Sequence, residues 1–507
     1  MVESAGAQAV GRSAPHAVVI GSGFGGLAAA IRLGARGYRV TVLEQLDAAG
    51  GRAYVFRQDG FVFDAGPTII TAPFLLEDLW RLCNRRFADD VELRPVQPFY
   101  RIRFNDGEIL DCSADEQAMS RQIERIAPAD WAGYLGFLRA SEEIYKVAFE
   151  RLAHLPFNSF ADMLRLAPDL LRLRSHRSIY GLVSTFVKDP RMRFALSFHP
   201  LFVGGNPFTT TSIYGLIAFL ERRWGVHCAM GGMGSIVNGM VNLIQGQGNR
   251  LRYGARVASI TLQGRRATGV RLSSGEQLPA DIVVSNADSA ATYQDLLPAS
   301  LQRRWSNRKL AAAHYSMSLF IWYFGTSRQY ADVPHHTILA GPRYRELLED
   351  IFVRKILADD FSLYLHRPTA SDPSLAPAGC DAFYVLSPVP HLDANIDWHA
   401  KAESYRLAIS RHLSLTLLPD LEKHVISSRI MTPLDFQDRL LSYKGAAFGL
   451  APALTQSAWF RPHNRSEDIE GLYLVGAGTH PGAGLPGVLS SARVLDTVVP
   501  NADAIIR

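Results

Sequence analysis

The sequence predicts an α/β (α+β) fold in which a parallel sheet is assembled from separate stretches of the chain, with a second domain inserted between them. Three observations carry this. A strand, glycine turn, helix and second strand open the chain, and another strand–glycine–helix unit closes it. The stretch between alternates helical and aromatic-rich β-like runs, with no internal repeat of roughly 20–50 residues. The 507 residues are 48% hydrophobic and 10% aromatic, enough apolar surface to exclude a disordered chain. Mean hydropathy is +0.01. No run of about 18 apolar residues escapes a charge or a glycine cluster, which excludes a polytopic membrane protein.

The net charge of +5 shows no basic run interleaved with stacking aromatics, so no nucleic acid is expected as a partner. Cys83, Cys112, Cys228 and Cys380 lie far apart and lack metal-type spacing. They suit a reducing cytosol as small buried hydrophobes, and no metal is expected. Residues 1–15 lack the continuous apolar segment of a signal peptide and read as a disordered tail.

His16 to Ile20 is a short β-rich run, followed by Gly21-Ser22-Gly23-Phe24-Gly25-Gly26 and an Ala/Leu/Ile-rich helix to about Gly37. A second strand, Tyr38 to Leu43, ends in Glu44. A Rossmann-like dinucleotide unit requires this order. Gly21 permits the tight turn. Gly23 lets the backbone approach a pyrophosphate at the helix N-terminus, where unpaired N–H groups favour anions. Gly26 lets helix and strand pack closely. Glu44, 18 residues after Gly26, is placed to accept hydrogen bonds from a ribose diol. Ala49-Gly50-Gly51-Arg52 then forms a loop able to close over the pyrophosphate, with Gly51 at its turn and Arg52 as counter-charge. This second fingerprint resembles that of flavoproteins in the amine-oxidase and phytoene-desaturase superfamily, so the resemblance implies FAD. Phe61 to Thr68 adds a glycine–proline turn at Gly66-Pro67, of the kind that superfamily places near the flavin.

From Asp115 to about Leu182 the pattern is helical. Within it, Leu164, Leu166, Leu170, Leu171 and Leu173 mix with Arg165, Arg172, Arg174 and Arg177 around Pro168. Such a basic, leucine-rich segment suits either a lipid interface or an ordinary charged surface helix. Phe198 to Phe208 combines aromatics with turn formers and suits a cavity wall or a packed connection. Gly231 to Ser235 opens a helix to about Gln245, and Leu251 to Ile260 reads as strand, turn, strand. The β-rich run continues through Ile282-Val283-Val284 to Ser285-Asn286-Ala287-Asp288. Aromatic strands around Leu319–Phe324, Phe361–His366 and Phe383–Leu386 suggest one wall of an apolar binding domain, or plain core. The closing unit runs from Gly471 through Gly476-Ala477-Gly478 into a helix expected from about Leu489. Gly476 and Gly478 let the backbone lie against a flat ring. Pro486, Gly487 and Val488 precede a helix N-terminus able to stabilise the charge that reduced flavin develops.

The chain from about residue 16 to 495 resembles the bacterial carotenoid-type phytoene desaturases. Beyond the nucleotide motifs, Leu201 to Phe208, Ser457 to Asn464 and Leu474 to Gly482 are similar to that family's segments. The resemblance implies FAD and a colourless C40 polyene, phytoene, dehydrogenated stepwise to neurosporene or lycopene. It also implies partly desaturated carotenoids as further substrates, quinone or oxygen as final acceptor, and peripheral association with the cytoplasmic face of the membrane. In the resembling flavoproteins, the position of Val257 contacts the adenine through its backbone. The expected layout is an FAD-binding domain from 16–114, 231–290 and 446–507, a helical substrate and membrane-associating region at 115–230, and a substrate-binding domain at 291–445. A desaturase of a later carotenoid (hydroxyneurosporene type), a flavin amine or porphyrinogen oxidase, and a non-enzymatic isoprenoid carrier remain alternatives. No proton acceptor is identified, with His480, Arg52 and His199 among fifteen histidines and many arginines reading as structural or flavin-contacting.

Overall fold

A computed structural model describes residues 14–505; the expected tail at 1–15 lies, except for its last two residues, outside them. The opening strand His16–Ile20 is wholly buried at the centre of a five-stranded sheet. Buried on both faces, it reads as a continuous apolar run rather than an alternating one. Its neighbours are Arg39–Leu43, flanked by Arg250–Arg252, and on the other side Ile282–Ser285, flanked by Leu472–Leu474. Every pairing is parallel, so strands far apart in the chain share one sheet. Three helices, Phe24–Ala35, Met233–Gly246 and Leu485–Val498, pack on one side of it around a common apolar core.

A seven-stranded sheet forms the second layer system. Ser318–Thr326, Asp381–Val389 and Leu363–His366 lie together at its middle, so the three aromatic runs form one wall. Their alternation divides two jobs. Phe320, Trp322, Phe324 and Phe383 pack against the helix Trp398–Thr416, while Leu319, Ile321, Tyr364 and Tyr384 face a cavity. Tyr100–Arg103 and Ile109–Cys112 belong to this sheet rather than to the nucleotide-binding sheet of the first stretch. Pairing Tyr100–Arg103 with His336–Leu339 satisfies an edge that would otherwise expose unpaired backbone groups.

The helical region contains Glu116–Ile126, Trp131–Tyr145, Phe160–Arg172 and Ile179–Val183. Among the described residues, no helix is long and apolar enough to cross a membrane. The closing helix begins at Leu485, four residues before its expected start. Pro486 lies in its first turn, where a missing N–H costs nothing because that group has no intrahelical partner.

Candidate active site

One cavity of about 840 Å³ runs from the C-terminal edge of the five-stranded sheet to the aromatic wall of the seven-stranded one. At the sheet end, glycines crowd around a single side chain, Asn286. A Cβ on Gly25 or Gly476 would approach its Oδ1 to 2.5 or 2.7 Å, and one on Gly23 would approach its Nδ2 to 2.9 Å. Gly50 N–H donates to the Ser22 carbonyl at 3.0 Å, locking the second glycine loop against the first. The helix Phe24–Ala35 starts at Gly23 with no side-chain cap and no acidic residue in its first turn. The same is true of Leu485–Val498 at Gly484. Two uncapped helix N-termini therefore border one cavity, each with unsatisfied N–H groups suited to negative charge.

Glu44 sits at the end of its strand, only 5% exposed, and still lines the cavity. Its Oε2 accepts from Ser22 N–H and Oγ–H at 2.8 and 2.7 Å, and its Oε1 from Leu46 N–H at 3.0 Å. These bonds fix the carboxylate at the rim. Arg52 also lines the cavity, but its guanidinium is held by the 442–447 loop: Nε donates to the Ala447 carbonyl at 2.7 Å and Nη2 to Ser442 Oγ at 2.8 Å. Burial pushes the Arg52 pKa down and that of Asp288 up, while their mutual attraction opposes both shifts.

Gly21, Gly23, Gly51, Gly66, Val257, Gly476, Pro486, Gly487 and Val488 all line this cavity. Gly26 and Gly478 do not. A Cβ on Gly26 would lie 2.0 Å from the Gly21 carbonyl oxygen, and one on Gly478 would lie 2.5 Å from Ser289 Oγ. Their smallness serves packing behind the cradle. His480 lines the cavity and shares its Nε2 with the Leu152 carbonyl at 3.1 Å, and burial lowers its pKa to about 4. His199 lies behind the wall, bonded to Tyr100 OH at 2.9 Å beside Glu221.

Beyond the cradle, the walls are chiefly aliphatic and aromatic, with Glu221 tied back to Tyr100 OH. Phe198, Leu201, Phe202 and Val203 form one side, Ile213, Leu216 and Leu220 another, and Met317, Leu319 and Ile321 a third. Met163, Leu166 and Leu170 close it from the helix Phe160–Arg172, so the segment singled out for its arginines is also part of the cavity. Asn286, at the hub of the glycine loops, is absent from the sequence-based site. Its signal was its place directly after the strand Ile282–Ser285, where the carboxyl ends of parallel strands gather ligands. Arg461, in the family-like segment 457–464, is 1% exposed and donates from Nη2 to the Leu450 and Ala477 carbonyls at 2.7 and 3.1 Å. It ties that segment to the closing glycine loop.

The glycine cradle, the rim carboxylate and the two uncapped helix ends fit a flavin dinucleotide. The fold and site together define an FAD-dependent oxidoreductase, and the chain belongs to the flavin-containing amine oxidoreductase family, whose profile matches residues 24–494. Within that family its place is among the bacterial phytoene desaturases. It is 48% identical over 494 residues to the neurosporene-forming phytoene desaturase of Cereibacter sphaeroides, covering 96% of this chain and 95% of that one. It is 50% identical over 477 residues to the lycopene-forming phytoene desaturase of Pseudescherichia vulneris, covering 94% and 97%. Among solved structures, cyclohexylamine oxidase from Brevibacterium oxydans shares the fold, with a TM-score of 0.61, 16% identity and coverage of 97% and 99%.

Proposed function

We propose that the chain is a phytoene desaturase that dehydrogenates 15-cis-phytoene stepwise to neurosporene, lycopene or both. The observation that carries this reading is the continuity of the nucleotide cradle with a long apolar chamber in one cavity. Phytoene has no polar group, so a chamber without a charged clamp is the complement it needs, and shape rather than charge must set which bond meets the cofactor. FAD, when bound, supplies the hydride acceptor.

The residues divide the work. Gly21, Gly23 and the first uncapped helix hold the pyrophosphate, with Gly51 and Arg52 closing over it. Glu44 takes the ribose hydroxyls, and the Val257 backbone meets the adenine. Gly66, Gly476 and the turn Pro486-Gly487-Val488 border the ring system, with Gly26 and Gly478 permitting the close packing behind. Residues 16–114 apart from the strands Tyr100–Arg103 and Ile109–Cys112, with 231–290 and 446–507, chiefly serve the cofactor, and 291–445 chiefly the polyene. The helix Phe160–Arg172 supports a peripheral membrane role within 115–230. It has no buried residue, turns Met163, Leu166 and Leu170 inward, and leaves Phe160, Leu164 and Leu171 at 49%, 61% and 67% exposure. An apolar stripe facing outward, over a door whose inner face is also apolar, suits uptake of a lipid-dissolved substrate at the cytoplasmic face of a membrane. Quinone or oxygen serves as final acceptor.

Purified protein incubated with phytoene liposomes, FAD and an oxidised quinone tests the reading. Coloured polyenes are the expected extract, and their chain lengths of conjugation count the steps. A flavin-loaded protein yielding no coloured product would defeat it.

A further inference from the structure

Three histidines that phytoene chemistry leaves unused meet behind the cavity wall. His335 immediately precedes the strand His336–Leu339, and His366 ends Leu363–His366, where it is the cross-strand partner of His336. They are 5%, 0% and 2% exposed. One ring nitrogen from each lies within 4.8 Å of the other two, and the Nε2 atoms of His335 and His366 are 3.1 Å apart. Two of the remaining nitrogens are anchored, His335 Nδ1 to Ser371 Oγ and His336 Nδ1 to Tyr364 OH, both at 2.7 Å. Among the described residues, His336 Nε2 and His366 Nδ1 are buried without a partner.

We propose that these three imidazoles form a binding site for a divalent transition-metal cation, with zinc the best match. Imidazole is a preferred ligand for zinc, and the three buried rings bring one nitrogen each to a common point. Zinc–nitrogen bonds of about 2.0–2.1 Å at tetrahedral angles set ligand atoms roughly 3.3 Å apart. The His335–His366 pair already has nearly this spacing, and a nitrogen of the third ring lies within 4.8 Å of both. With the proton on Nδ1 of His335 and His336, those nitrogens would donate to Ser371 Oγ and Tyr364 OH and each Nε2 would present its lone pair. That is how outer partners orient metal-binding histidines. His335 and His366 also line a small void, together with Asp64, Cys228 and Asp372. Tyr364 OH also bonds Thr68 Oγ1 at 3.0 Å, and both residues line the large cavity. A metal at the three histidines therefore braces the wall of the apolar chamber from outside, as a structural staple.

The test uses untagged, FAD-loaded protein stripped with a chelator and titrated with zinc by calorimetry, then with cobalt for its visible spectrum. One equivalent per chain, intense cobalt bands of tetrahedral type and a raised Tm are expected. His336→Ala and His366→Ala should each weaken binding more than about tenfold, and Tyr364→Phe by about 10–100-fold. Absence of stoichiometric binding, or unchanged affinity in the His336→Ala protein, would overturn the assignment. Should those variants not fold, X-ray absorption of the zinc-loaded wild type decides it. Three imidazoles around the metal support the site, and fewer refute it. Neither outcome depends on the substrate.

Discussion

A methyl group at position 26 would sit 2.0 Å from the Gly21 carbonyl, so the substitution tests the cradle without touching the ligand. Gly26→Ala should cost about 1–3 kcal/mol of overpacking and lower the flavin content, read from a urea melt and from the flavin-to-protein absorbance ratio. Glu44→Gln keeps the size but loses the charge-assisted bonds. FAD affinity should fall about tenfold or more, measured by fluorescence titration. His480 gives a signed pH prediction. Its folded pKa is about 4 against 6.5 unfolded, so the unfolded chain binds the proton first. Stability is full above about pH 6.5 and is lost as pH falls toward 4. The full effect is on the order of 3 kcal/mol. His480→Asn, which retains a donor for the Leu152 carbonyl, should flatten that acid slope in chemical denaturation. These residues differ in how plainly the sequence announces them. Gly26 and Glu44 stand at fixed offsets from a strand that only one chemistry explains. Asn286 and the three clustered histidines do not, because their neighbours come from strands paired across the fold, and no local spacing encodes that.

At the scale of elements, the helix Phe160–Arg172 teaches the most. Its leucines and arginines were legible as amphipathic, but its second apolar face was not. Met163, Leu166 and Leu170 alone look like half of one broad stripe, and only the cavity behind them separates inward from outward positions. Its arginines are also partly committed: Arg165 pairs with Asp162 at 3.2 Å, and Arg172 with Glu143 at 3.4 Å. The outward leucines are therefore the better membrane test. Leu164→Gln together with Leu171→Gln should reduce liposome flotation about tenfold or more while leaving FAD binding intact. Unchanged flotation would remove this helix from the interface. The start of the closing helix was misplaced for a different reason. Gly484-Leu485-Pro486-Gly487 reads as turn composition, yet an uncapped first turn tolerates both proline and glycine.

At the scale of the whole molecule, two sheets share one cavity, and the sequence revealed both without revealing their junction. The nucleotide sheet was legible from glycine spacing and continuous apolar strands. The aromatic wall was legible as strands, but which side chains faced the chamber depended on pairings such as Tyr323 with Tyr384. Filling the chamber separates its two ends. Ile321→Trp should retain the 450 nm flavin band yet abolish coloured product from phytoene, since the added ring occupies the polyene's path. A matching loss of flavin would show that the ends are not independent.

The five-stranded sheet takes its last strand from Leu472–Leu474. During synthesis, the opening glycine turn is made long before the element that completes its surroundings. The growing chain must therefore hold an apolar sheet edge at Ile282–Ser285 unpaired while the intervening residues emerge. Such a chain is a natural client for chaperones, and cofactor capture becomes a late event that reports completed assembly.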